Sequence, residues 1–219
     1  MISSTIRYNY IKTIVNDIYI KFKINSYPVD ILKIVSYYKN IRIVSYSSFM
    51  KKYNLTKDET LSYFSSEEGF TDYLASQNKY IIFYNDFDNK LESRIYWTIA
   101  HELGHILCKH YTENTKLFAG LLSNEEYYSK EGEANYFASL LLSHQAVLSQ
   151  LNIRSSRDIQ IYCELSHQAS VYRFNSYRRW CKYKTLTSSD RYIIRNFKEY
   201  INSKNEEYQE YLNFISSFW

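Results

Sequence analysis

His101-Glu102-Leu103-Gly104-His105 constrains this chain more than any other stretch. Histidines four positions apart act together only on a helix, where they stand about 40° from each other on one face. There both imidazoles can reach a single cation at the roughly 2 Å that Zn–N bonds require. Glu102 lies about 100° around the same helix, beside the first histidine, where a carboxylate can face a metal-bound water without ligating. The bland reading is a solvated helix with two ordinary histidines. With 5 His in 219 residues, chance alone gives this pattern on the order of once in a hundred such chains. The flanks Ile95, Ile99, Leu103 and Ile106 form an apolar stripe, so the helix reads as buried, and buried imidazoles need partners. Gly104 costs about 1 kcal/mol against Ala inside a helix, which implies close approach by a neighbouring backbone.

A chain with only 4 Gly and 1 Pro does not suit a turn-rich all-β sandwich. The periodicity instead predicts an α+β protein, mostly helical with a small antiparallel or mixed sheet. Ile6, Tyr10, Ile14, Ile18 and Phe22 mark a first amphipathic helix, widened by Ile11, Val15 and Tyr19, and Val29, Leu32, Val35 and Tyr38 mark a second. Ile41–Tyr46 reads as a strand, Thr56 with Glu59 as a capping box, and Phe70–Ala75 with Tyr80–Tyr84 as an antiparallel hairpin. Helices are predicted near 91–111, 129–142, 144–151, 156–165, 166–182 and 189–217, the last broken near Ser203–Asn205. The net charge of +4 excludes a disordered acidic chain and falls short of a nucleic-acid coat protein. Cys108, Cys163 and Cys181 are odd in number and widely spaced, the pattern of free thiols in a reducing cytosol. No apolar leader pattern and no membrane-length apolar run is present. A cytoplasmic location, with no membrane partner, is therefore the expectation.

A metal site needs a third protein ligand. A metzincin would place a histidine six residues after His105, where Tyr111 stands, and a glycine three after it, where Cys108 stands. That class is excluded. Cys108 shares the face of His101 and His105, but one more helical turn carries its thiol past the cation. His110 points to the opposite side of a continuing helix and reads as a surface or helix C-terminal histidine. Glu131 is the better candidate, opening the apolar helix of Ala134, Phe137, Ala138, Leu141 and Leu142. It shares a face with Asn135, which could accept the second N–H of a ligating histidine, whereas Glu133 points about 200° away. The competing role for Glu131 is a helix N-terminal carboxylate that stabilises the dipole.

These pieces resemble the ImmA/IrrE metallo-endopeptidases, a gluzincin-like group, from residue 69 to about 175. The resemblance is carried by Gly69-Phe70-Thr71, Tyr80–Asp86, Arg94…Trp97–Leu107 and Glu131…Glu133–Ala138…Leu140-Leu141-Leu142. It implies a zincin-like metallopeptidase domain with His101, His105 and Glu131 as zinc ligands, Glu102 as the catalytic base and Asn135 behind a ligand. The family pattern sets its glutamate ligand four residues before the asparagine, which selects Glu131 over Glu133. It also implies a protein substrate, a helix-turn-helix repressor whose cleavage derepresses mobile-element or stress-response genes. N/O ligands accept zinc, manganese or iron. Ser143-His144 departs from the family's Met-Pro at the end of this helix, and 184–219 has no clear counterpart.

The domain reading is 1–150 for the zincin-like part and 151–219 for a helical C-terminal extension with a helix-turn-helix-like pair. Residues 151–204 hold 11 Lys/Arg against 4 Asp/Glu. Ser156 and Ser166 read as N-caps, and Ala169, Tyr172 and Arg173 occupy positions that would suit a recognition helix. The modest charge and the packing role of comparable helices in the family argue against direct nucleic-acid binding. Two other functions compete with the enzyme reading: a non-catalytic zinc protein that sequesters the repressor, and a DNA-binding regulator acting through 156–182.

Overall fold

The structure is a computed structural model that describes residues 6–111 and 124–218. Among these residues the order is α1 (Tyr8–Lys21), α2 (Ile31–Ser36), β1 (Ile41–Ser45), α3 (Tyr46–Tyr53), α4 (Lys57–Phe64), β2 (Gly69–Leu74), β3 (Lys79–Tyr84) and α5 (Glu92–Leu107). There follow α6 (Asn124–Leu142), α7 (Gln145–Leu148), α8 (Ser156–Cys163), α9 (His167–Cys181), α10 (Ser188–Asn196) and α11 (Lys198–Ser216). The fold is α+β and zincin-like, mostly helical around a small mixed sheet. None of the described helices is long and apolar enough to cross a membrane. Two compact units form, one from the described residues of Met1–Ile11 with Asp30–Ala138, the other from Lys12–Val29 with those of Ser139–Trp219.

In the first unit the three strands lie in the order β1-β3-β2, with β1 parallel and β2 antiparallel to β3. Alternation gives the sheet two different faces. Phe70 and Phe83, paired across the hairpin, join Tyr46, Phe49 and Phe64 in an aromatic cluster with α3 and α4. Thr71 and Ile82, the next pair, point the other way and are almost wholly buried. On that side lies α5, the helix of the pentapeptide. The Thr56–Glu59 capping box is present at the start of α4.

The second unit is helical. Tyr19 buries its ring and donates to the Leu141 carbonyl, while the Tyr27 ring packs tilted against Phe197 at 5.0 Å and its hydroxyl accepts the His144 N–H at 2.7 Å. His144 caps α7: its Nδ1 accepts the Ala146 N–H and its Nε2 lies 2.8 Å from Asn16 Oδ1. Ser166 caps α9, whereas α8 is capped by Ser155 and not Ser156. Three local expectations are corrected. The buried stripe of α1 is Ile11, Val15, Ile18 and Tyr19, not the four-residue repeat through Tyr10, which is exposed. In α2, Ile31, Ile34 and Val35 face inward while Leu32 is exposed. The C-terminal helix breaks at Phe197, which is fully buried, and runs unbroken through Ser203–Asn205. A buried anchor, not a polar run, decides where that chain bends.

Candidate metal centre

The interior of α5 is buried from Thr98 to Ile106 except at His101, which is partly open. Gly104 is a point of close approach to α6: a Cβ there would stand 3.2 Å from Ala134 Cα and 3.0 Å from Phe137 Cδ1. The backbone contact expected of this glycine is therefore present. It brings the middle of α6, which starts at Asn124, against the pentapeptide.

His101 Nε2 and His105 Nε2 lie 3.0 Å apart. Glu131 Oε2 stands 3.3 Å from His101 Nε2, and its Oε1 3.3 Å from His105 Nε2. Donors held tetrahedrally at about 2.0–2.1 Å from one zinc ion stand about 3.3 Å from each other. The three separations fit a single ion of that size. The side chains of His105, His101 and Glu131 are 4, 16 and 29% exposed, so the cluster is sealed at His105 and opens to solvent at Glu131. Burial opposes the charge on Glu131, but hydrogen bonds from His101 and His105 outweigh it and hold the carboxyl well below its usual range. Burial likewise opposes a charge on His101, while Glu131 and Glu102 raise its pKa overall. Asn135, one turn after Glu131, sets its Oδ1 3.1 Å from His101 Nδ1.

Glu102 is buried, and its Oε2 accepts the Thr71 hydroxyl at 2.8 Å. That contact follows from the strand alternation that turns Thr71 towards α5. Tyr111 is buried, with its ring tilted against those of Tyr73 and Tyr80 at centroid distances of 6.3 and 5.9 Å. Burial and the nearby Glu102 carboxylate raise its pKa. Thr71 lies in a segment that carries the family resemblance and Tyr111 occupies the position a metzincin histidine would take, but no spacing in the sequence assigns either of them to the surroundings of Glu102.

His110 departs most from expectation. The helix ends at Leu107, not near residue 111, and Lys109 turns into the left-handed region at φ 61°. The His110 N–H then reaches back to the His105 carbonyl at 3.0 Å, as in a Schellman turn. His110 is thereby folded under the pentapeptide and buried. Its Nδ1 is 2.9 Å from His105 Nδ1 and its Nε2 2.9 Å from Glu133 Oε2. Burial, with the neighbouring His105, pushes its pKa down to about 4. Glu133, turned away from Glu131, is clamped by Arg7: the Arg7 N–H and Nε donate to Oε1 at 2.9 and 2.8 Å, and Nη2 donates to Oε2 at 2.5 Å. Burial opposes its ionisation, but Arg7 and His110 bring its pKa down to about 2.

In the second unit Arg173 does not present a base-reading group. It is 1% exposed, and its Nε donates to the Ser143 carbonyl at 2.9 Å. Tyr172, Arg178, Arg179 and Lys182 of the same stretch are exposed.

Residues 51–175 match the family model described as the IrrE N-terminal-like domain, a peptidase family. Among curated proteins none matches the chain.

Proposed function

Because the chain belongs to the family of the IrrE N-terminal-like domain, a group of metallopeptidases, we propose that it is a zinc-dependent endopeptidase that cuts a helix-turn-helix transcriptional repressor in the cytoplasm. The observation that carries this reading is the convergence of His101 Nε2, His105 Nε2 and the Glu131 carboxylate at 3.0–3.3 Å from one another. These three would hold the ion, and Asn135 Oδ1 fixes the tautomer of His101 by accepting its Nδ1–H. A divalent ion bound there supplies Lewis acidity, which polarises a peptide carbonyl and raises the acidity of water.

Glu102 is the proton carrier. Its Oε2 is occupied by the Thr71 hydroxyl, which leaves Oε1 to take the proton of the attacking water and return it to the leaving amine. The repressor substrate and its regulatory consequence rest on the family resemblance alone.

The test is incubation of the purified protein with the helix-turn-helix repressor encoded beside its gene, followed by mass spectrometry of the products. Wild type yields defined fragments in the presence of zinc. Glu102→Gln keeps fold and metal and yields none; undiminished cleavage by that variant refutes the assignment. Derepression by Glu102→Gln without cleavage would mark a sequestering protein instead.

A further inference from the structure

His110 plays no part in the proposed hydrolysis, yet it stands buried between a ligand and an ion pair. His105 turns Nε2 towards His101 and Glu131, so Nδ1 is its outward nitrogen, 2.9 Å from His110 Nδ1. The hydrogens of this chain follow from its far end. A carboxylate only accepts, so His110 Nε2, 2.9 Å from Glu133 Oε2, carries its proton and donates it. A neutral imidazole has one N–H, which leaves His110 Nδ1 as a lone pair. That lone pair accepts from His105 Nδ1–H, because two N–H groups cannot face each other at this distance. His105 Nε2 is then necessarily bare, with its electron pair aimed at the point where the other two donors converge. Arg7 anchors the whole series by holding both oxygens of Glu133 and, through Nη2, the Cys108 carbonyl at 3.0 Å in the turn that carries His110.

We propose that Arg7, Glu133 and His110 form a relay that fixes the tautomer and ring orientation of His105 and thereby sets the metal affinity of the site. The inference rests on the reading of His105 as a ligand. His110 is a positioning residue, taking the place that a carboxylate or backbone carbonyl more often holds behind a metal-bound imidazole. The rival is a second ion between Cys108, His110 and Glu133, whose donor atoms lie within 4.8 Å of one another. The Arg7 guanidinium already neutralises Glu133, and both ring nitrogens of His110 already face partners, His105 and Glu133, so that cluster has few free donors for a cation.

The experiment measures zinc affinity of the full chain by competition with a chromophoric chelator, together with the visible spectrum of the cobalt-substituted protein. Phe at position 110 removes the acceptor, and His110→Phe should lower zinc affinity about 10–100-fold and shift the cobalt bands. His110→Asn sets a carboxamide oxygen where Nδ1 stood and should recover most of that loss, which a packing role would not predict. Arg7→Gln acts at a side chain that is 48% exposed, so it tests the relay even where His110→Phe fails to fold; about a tenfold loss is expected. Unchanged affinity in folded His110→Phe or in Arg7→Gln, or equal losses in His110→Phe and His110→Asn, overturns the relay while leaving the metal reading intact. A second zinc equivalent abolished by Cys108→Ser also overturns it. Wild type that binds no zinc removes both the relay and the reading beneath it.

Discussion

Replacing Gly104 by Ala sets two known effects against each other. Helix propensity alone favours Ala by about 1 kcal/mol. The new Cβ, however, would meet Ala134 Cα at 3.2 Å and Phe137 at 3.0 and 3.2 Å, where ordinary carbon contacts begin at about 3.5 Å. The Phe137 ring can turn, but the Ala134 backbone belongs to α6 and cannot move without it. Overpacking of this kind costs about 1–3 kcal/mol, so the balance is a net loss of between about zero and 2 kcal/mol. At about 2–4 °C per kcal/mol for a chain of this size, Tm should fall by up to several degrees. Metal affinity should suffer more than stability, because α6 carries Glu131 and Asn135. A shift of a few tenths of an ångström exceeds the roughly 0.2 Å that ligand distances tolerate, and about a tenfold loss of zinc affinity is expected. Gly132→Ala is the control on the same helix. Its Cβ would meet only the Ile6 side chain, Cδ1 at 2.8 Å, which can swing away, so propensity should win and raise Tm with affinity unchanged. Thermal melting and chelator competition on both variants decide the matter. If Gly104→Ala is at least as stable as wild type and binds zinc equally, the close approach of α5 and α6 does not set the site.

Other side chains give independent tests. Thr71→Val deprives the Glu102 Oε2 of its donor and should lower kcat about tenfold with zinc content unchanged; an unaltered kcat would remove Thr71 from the machinery. Burial lowers the pKa of His144, so the folded protein keeps it neutral while the unfolded chain binds a proton below about 6.5. Its contribution is complete above that pH and is lost as the pH falls towards the depressed folded value, at up to about 1.4 kcal/mol per unit. Denaturant melts of His144→Gln from pH 7 to 5 should show a correspondingly shallower decline, and identical slopes would contradict the neutral state. Arg173→Met leaves the buried Ser143 carbonyl without its donor and should cost about 1–3 kcal/mol; a loss under about 0.5 kcal/mol, the usual scatter of surface substitutions, would show that the carbonyl finds another partner.

Local chemistry was legible where one turn or one pair decides the outcome. The i, i+4 spacing of His101 and His105 sets both rings on one side of α5, Thr56 and Glu59 close their capping box, and the alternation of 70–84 makes the hairpin. Boundaries were less legible. The end of α5 at Leu107 depends on a left-handed turn at Lys109, a residue without the glycine signature, and the bend at Phe197 depends on burial in a core that no local window contains.

Spacing along the chain fixes which face of a helix a side chain takes, and nothing in it says what lies opposite. That Glu131 meets the two histidines while Glu133 meets Arg7, 126 positions away, follows from how α6 lies on α5, and Gly104 sets that distance. The sequence by itself determined a helix able to present two imidazoles together. Tertiary packing decided which carboxylate faces them, which threonine holds Glu102, and that a histidine expected on the surface stands behind His105 instead, because those contacts join segments that only the folded backbone brings within 3 Å or so.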